Sequence, residues 1–174
     1  MKTRMFSRPG LGAIRLALVC LCLMSGWCRA QTAVASLGVG ELDYFDTSGE
    51  VRDQEGDHAR RLKAFTTALR TDLENSGKFH IVSLDCSPEV CSASISDPDK
   101  LIAAAEKAGA AYLLVGGIHK MSTLIQWAKF DIVAVATRNV AFDRLITFRG
   151  DDDAAWTNAE EFLVRDILAH GAFK

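Results

Sequence analysis

Met1 to Ala30 carries five bases, Lys2, Arg4, Arg8, Arg15 and Arg29, and no acid. An uncharged, mostly apolar run from Leu16 to Trp27 follows Arg15 and leads to Cys28-Arg29-Ala30. Basic entry, apolar centre and a small residue before the cut are the layout of a secretory signal peptide. No other segment constrains the fold as much, because this one withdraws itself from the folding chain and sends the remainder to an oxidising compartment. The run is too short to span a bilayer, which takes roughly 20 apolar residues. A lipid anchor wants a small residue before the modified cysteine, and Trp27 before Cys28 and Leu21 before Cys22 fit that badly. The expectation is a signal peptide over 1–30, cut after Ala30, and a single periplasmic α/β domain over 31–174.

Charge changes with the leader. The whole chain has 20 Lys and Arg against 22 Asp and Glu; without the five leader bases the balance is 15 against 22, an excess of seven negative charges. A net-acidic domain is a poor binder of phosphate backbones, which demand clustered Lys and Arg. No nucleic-acid partner is expected, and no membrane insertion once the leader is gone.

Three of the five cysteines, Cys20, Cys22 and Cys28, leave with the leader. Cys86 and Cys91 remain, five positions apart around the turn-forming Ser87-Pro88. In an oxidising compartment they are expected to form one structural disulfide. A redox pair usually has two intervening residues and here there are four. A zinc site needs four ligands, and no second Cys/His pair stands at ligand spacing.

Along the domain, Ala33 to Tyr44 reads as a first strand weakened by Gly38 and Gly40. Asp46 to Asp57 is polar and reads as a loop. From His58 to Asn75 the apolar residues Leu62, Phe65, Leu69 and Leu73 recur at three and four positions, a helical stripe. Ser76-Gly77 ends it. Phe79 to Leu84 is a short strand. After the cysteine segment, Ser96-Asp97-Pro98 announces a second helix with a capping oxygen and a first-turn proline. Tyr112 to Ile118 is a continuous apolar run, expected of a central strand.

Ile125 to Ala136 is a long strand in which Phe130, Ile132 and Ala134 share one face, and Lys129 and Asp131 the other. Arg138-Asn139 turns the chain and Val140 to Phe148 returns. The last helix begins near Asp151 to Asp153 with the stripe Trp156, Ala159, Leu163 and Ile167, Phe162 alongside. The order is β-α-β-α-β-β-β-α. Strands joined through helices should run parallel and those joined by tight turns antiparallel. The expected fold is therefore α/β (α+β), a mixed five-stranded sheet with helices packed on it.

Two segments extend this reading. Leu69 to Val82, LRTDLENSGKFHIV, ends a helix in a serine-glycine turn before a strand; Ala108 to Gly117, AGAAYLLVGG, returns to the sheet. In this layout the chain resembles the amino-terminal domain of the periplasmic TolB protein, and most of all small secreted bacterial proteins of unassigned function that share that domain without its propeller. The resemblance covers roughly Val39 to Leu168. It implies the fold, a periplasmic home and a leaning toward protein–protein contact, and it brings no catalytic residue. The cysteine loop has no counterpart in the pattern.

Candidate chemistry is sparse. Gly38-Val39-Gly40-Glu41 lacks the third glycine, the lysine and the immediate helix of a phosphate loop, so a strand irregularity is the better reading. Gly116-Gly117 reads first as close helix–sheet packing and second as room for a small ligand. Asp151-Asp152-Asp153 offers carboxylates to calcium, yet acids before a helix also cap it. The four histidines form no ligand-spaced pair, and only His119 stands near an expected site edge. No Gly-x-Ser-x-Gly elbow is present.

No catalytic, cofactor or metal residue is therefore named. The candidate recognition residues are Trp127, Gly116, Gly117 and His119. The expected function is a non-enzymatic periplasmic module with a protein partner in the cell envelope. The alternatives are a small-ligand-binding protein with a pocket beside Gly116-Gly117 and Trp127, or a small hydrolase using His119.

Overall fold

The computed structural model describes residues 34–173. The leader, its cleavage point and its three cysteines lie outside the described residues. Six strands and three helices follow in the order β1 Ala35–Val39, β2 Asp43–Asp46, α1 Glu55–Asn75, β3 Phe79–Val82, α2 Pro98–Lys107, β4 Tyr112–Lys120, β5 Ile125–Ala134, β6 Val140–Arg149 and α3 Asp153–His170. The strands form one mixed sheet in the order β3-β1-β4-β5-β6, with β2 also paired to β4. β1 is parallel to β3 and β4, β2 is parallel to β4, and β4, β5 and β6 are successively antiparallel. Helical crossovers connect the parallel strands and short turns the antiparallel ones, as connection length requires.

The first strand differs from its expected form. Ala33 to Tyr44 is not one strand but two, which raises the count from five to six. Val39 faces Leu114 and Asp43 faces Gly117, so four steps on one side match three on the other. The extra residue is a bulge between β1 and β2. The cysteine loop holds it: Glu41 N donates to Cys91 O at 2.7 Å, and a Cβ on Gly40 would stand 2.8 Å from that same carbonyl. The glycine is needed for that approach.

Helix boundaries have local causes. α1 begins at Glu55, a turn earlier than expected, with Glu55 and Asp57 in the first turn against the positive end of the dipole. Gly77 after its end takes φ +70, a left-handed value that suits glycine. Asp97 caps α2 by accepting from Asp99 N, and Pro98 fills the first position.

The pleat sorts side chains to two faces. On one, α1 and α3 lay Phe65, Leu69, Leu73, Trp156, Leu163 and Ile167 on Leu37, Leu114, Ile118, Phe130 and Ile132, forming the main core. Phe162 stands beside the stripe, as expected, and is 46% exposed. On the other face α2 covers only one end, where Leu101 and Ala105 pack with Ala110, Leu113, Val135 and Cys91. The Cys86–Cys91 disulfide, with Cα atoms 5.3 Å apart, borders that smaller cluster. The rest of this face is open.

Candidate functional site

The open face is built by register. Phe45 of β2 lies beside His119 of β4, His119 beside Trp127 of β5, and Trp127 beside Thr147 of β6. The next row is Asp43, Gly117, Lys129 and Leu145. Phe45 is 53%, Trp127 43% and Leu145 56% exposed. Their side chains border a shallow groove of about 330 Å³ with Gly117 between them. The Phe45 and His119 rings meet edge-on at 6.5 Å. Thr47 Oγ1 and His119 Nε2 share a hydrogen bond of 2.7 Å that fixes the imidazole. Lys129 Nζ is held by Asp131 at 2.8 Å and Asp143 at 2.7 Å, so the polar margin is already paired.

The four candidate recognition residues thus come to one place, in different capacities. Trp127 and His119 present side chains to the groove. Gly116 and Gly117 admit neighbouring backbones. A Cβ on Gly117 would stand 2.7 Å from Asp43 O, and one on Gly116 would stand 2.4 Å from Lys129 O. The closeness is between strands, not between helix and sheet as expected. Phe45 and Leu145 complete the patch and were not singled out by the sequence reading. Their signal is parity: Phe45 alternates with the half-buried Tyr44, and Leu145 with the buried Ile146.

A second constellation lies on the helix-covered side, at the far end of the sheet. Lys120 ends β4 fully buried. Its ammonium donates to Asp151 Oδ2 at 2.7 Å, to Gln54 Oε1 at 2.6 Å and to Glu50. Asp151 also accepts from His58 Nε2 at 2.8 Å and from Arg61 at 3.1 Å. Burial alone would raise the Asp151 carboxyl, yet hydrogen bonds from Lys120 and His58 hold it below its usual value. Burial alone would lower the Lys120 ammonium, yet Asp151 and Glu50 hold it above its usual value. Both groups are locked in their charged forms, the opposite of the tuning toward working pH that acid–base catalysis needs. Burial, with Asp46 and Asp151 near, raises the Tyr44 phenol.

The acidic triplet divides its roles. Asp152 caps α3 by accepting from Ala155 N at 2.8 Å, Asp153 binds Arg60 and Arg61, and Asp151 enters the buried network. Among the described residues no three His, Cys, Asp or Glu side chains are placed to hold a metal. His58, His80 and His170 each pair with a carboxylate, so His119 alone of the four faces the open groove. Glu160 of α3 is buried in a groove of about 280 Å³ beside Ala64, Phe65 and Ala68 of α1. Its Oε1 has no partner among the described residues, and burial with Asp72 nearby pushes the carboxyl up to about 7. Among the described residues no helix is long and apolar enough to cross a membrane.

Residues 33–168 match DUF3280, described as "Protein of unknown function (DUF2380)". The chain belongs to that family. No curated protein matches it. Among solved structures it is similar to the LpoB C-terminal domain from Salmonella enterica, with 20% identity over 78% of this chain and 95% of that one, TM-score 0.48. It is similar to the PelC dodecamer subunit from Paraburkholderia phytofirmans, with 13% identity over 82% and 91%, TM-score 0.48. TolB from Acinetobacter baumannii, whose amino-terminal domain the sequence resembles, matches at 14% identity over 78% of this chain and 28% of that one, TM-score 0.48.

Proposed function

We propose that this chain is a non-enzymatic periplasmic protein-interaction module that engages a partner in the cell envelope through the open face of its sheet. One observation carries the reading. Phe45, Trp127 and Leu145, each near half exposed, border one groove, with His119 between the first two and Leu145 in the next row, on a face that α2 leaves bare. Contiguous apolar surface on a rigid scaffold marks interaction sites. Aromatic anchors supply most of the affinity in such interfaces, while a polar rim excludes water. Here Lys129, Asp131 and Asp143 supply the rim. Two features of the sequence support the setting: the export leader and the acidic remainder, which is unsuited to nucleic acid.

The test is co-purification from the native envelope under non-reducing conditions, with the wild type and with a Phe45→Ala/Trp127→Ala pair. Loss of two anchors at about 2 kcal/mol each predicts a partner affinity weakened roughly a hundredfold or more. Recovery of no stoichiometric partner by the wild type, or equal recovery by the variant, overturns the proposal. Saturable thermal stabilisation by a metabolite, abolished by Trp127→Ala, would instead favour a small ligand in the groove.

A further inference from the structure

β6 is the outer strand on one side of the sheet. Gly150 N donates to Leu124 O at 2.9 Å, which extends the Ile125–Arg149 register by one pair. In an antiparallel ladder, such bonded pairs recur at every second residue. Even-numbered residues of this part of β6 therefore aim their amide and carbonyl at β5, and odd-numbered residues aim theirs out of the sheet. Ala141 agrees: its outward carbonyl accepts from Ala172 N at 2.9 Å, where the chain beyond α3 returns. Past that point, the outward groups of Asp143, Leu145, Thr147 and Arg149 have no backbone partner among the described residues.

Those four residues are symmetric about Ile146. If a second copy of β6 lies antiparallel with the two-fold axis at Ile146, Asp143 faces Arg149 of the second copy. Leu145 faces Thr147, and the reverse pairs follow by symmetry. Each of the four pairs exchanges two bonds, about eight in all, and every outward group is satisfied. Shifting the axis to Leu145 brings Arg149 against Ala141, whose carbonyl is already taken. Shifting it to Thr147 sets Asp143 beyond the end of the strand.

The charges select the same register. Arg149 is exposed and has no ion-pair partner among the described residues, and Asp143 is exposed, paired with Lys129 and facing Asp131 across the ladder to β5. Edge strands of monomers are ordinarily blunted by charge, but here opposite charges stand at equal distances from the centre, which attracts a second copy instead. On the helix side, a groove of about 400 Å³ runs between β6 and α3, bordered by Ile146, Phe148, Ala159 and the exposed Phe162. A strand laid along β6 closes its open side.

We propose that the chain forms a two-fold dimer by antiparallel pairing of β6 with β6 of a second copy, the axis passing at Ile146. The two sheets become one, and Thr147 of one copy continues the aromatic row into Leu145 of the other. Leu145 and Asp143 border both surfaces, but the pairing does not depend on Phe45, His119 or Trp127, so the Phe45→Ala/Trp127→Ala pair separates it from partner docking.

The experiment uses the full chain, expressed with its own leader and purified. Sedimentation equilibrium should give a concentration-dependent two-copy mass. Arg149→Asp turns two attractive pairs into two repulsive ones and should weaken association roughly tenfold or more. Asp143→Arg combined with Arg149→Asp restores the complement and should recover most of it. Register is read independently of these variants by mixing a Leu145→Cys chain with a Thr147→Cys chain under mild oxidation. A covalent dimer should form in the mixture and not from either chain alone. A one-copy mass at every attainable concentration, indifference to Arg149→Asp, or efficient cross-linking of Leu145→Cys to itself overturns the proposal.

Discussion

Replacing Asp151 by Asn should test the buried network more sharply than any other change. The side chain keeps its shape and loses its charge. Asp151 holds Lys120 at 2.7 Å, His58 at 2.8 Å and Arg61 at 3.1 Å, and Lys120 is fully buried. Removing one partner of a buried pair costs about 3–5 kcal/mol, because the other charge is left without compensation. Glu50 remains within reach of Lys120, so the lower end, about 3 kcal/mol, is expected. Against the roughly 5–15 kcal/mol of a whole domain this is a large fraction, and it corresponds to a melting temperature lower by about 10 °C.

The same variant has a signature in pH. The native carboxyl titrates below its ordinary 3.8. Its contribution is fully present above the unfolded value and is lost as pH falls through the folded one. The difference between wild type and Asp151→Asn should therefore be full at pH 7 and should shrink in acid below about pH 4. Urea unfolding followed by tryptophan fluorescence, at both pH values, measures it. A neutral-pH difference under about 1 kcal/mol, or one that does not change with pH, would show that the network contributes no such stability.

Further outcomes follow from other positions. Glu160 titrates at about 7 in the fold against an ordinary 4.5, so its stability cost grows as pH rises from about 4.5 to 7 and is complete above that. Glu160→Gln should therefore stabilise the protein by about 3 kcal/mol at pH 8 and hardly at all at pH 4, measured by urea melts. Gly117→Ala puts a methyl 2.7 Å from Asp43 O and should lower stability by about 1–3 kcal/mol, with the β2–β4 amides losing hydrogen-exchange protection first.

What was legible in the sequence was local periodicity. The α1 stripe of Leu62, Phe65, Leu69 and Leu73, the Asp97-Pro98 helix start and the alternation of β5 each depend on neighbours within a few residues, and each stands in the structure. The bulge after β1 was not legible as a strand break. Gly38 and Gly40 signal irregularity, but the carbonyl that demands it belongs to Cys91, about fifty residues away. Lys120 gave no warning, because a lysine closing an apolar strand is ordinarily at the surface. Its partners come from the loop after β2, the residue before α1 and the turn after β6. Trp127 was the intermediate case. It shares strand parity with Lys129 and Asp131, and that alternation is enough to put it on the open face.

His119 and Lys120 are consecutive on β4, yet the pleat sends one to the open groove and the other into the charged network. If the two faces serve separate ends, neighbouring substitutions should separate two readouts. His119→Ala loses one exposed hydrogen bond to Thr47 and an edge contact with Phe45, so its stability should change by no more than about 0.5 kcal/mol while partner recovery falls. Lys120→Met keeps an unbranched chain but strands Asp151 and Glu50 without their ammonium. Arg61 and His58 still serve Asp151, so the loss should be about 2 kcal/mol, with partner recovery unchanged once the protein is folded. Equal destabilisation by the two variants would mean that the open face is part of the folding core, and a docking surface would then be the wrong description of it.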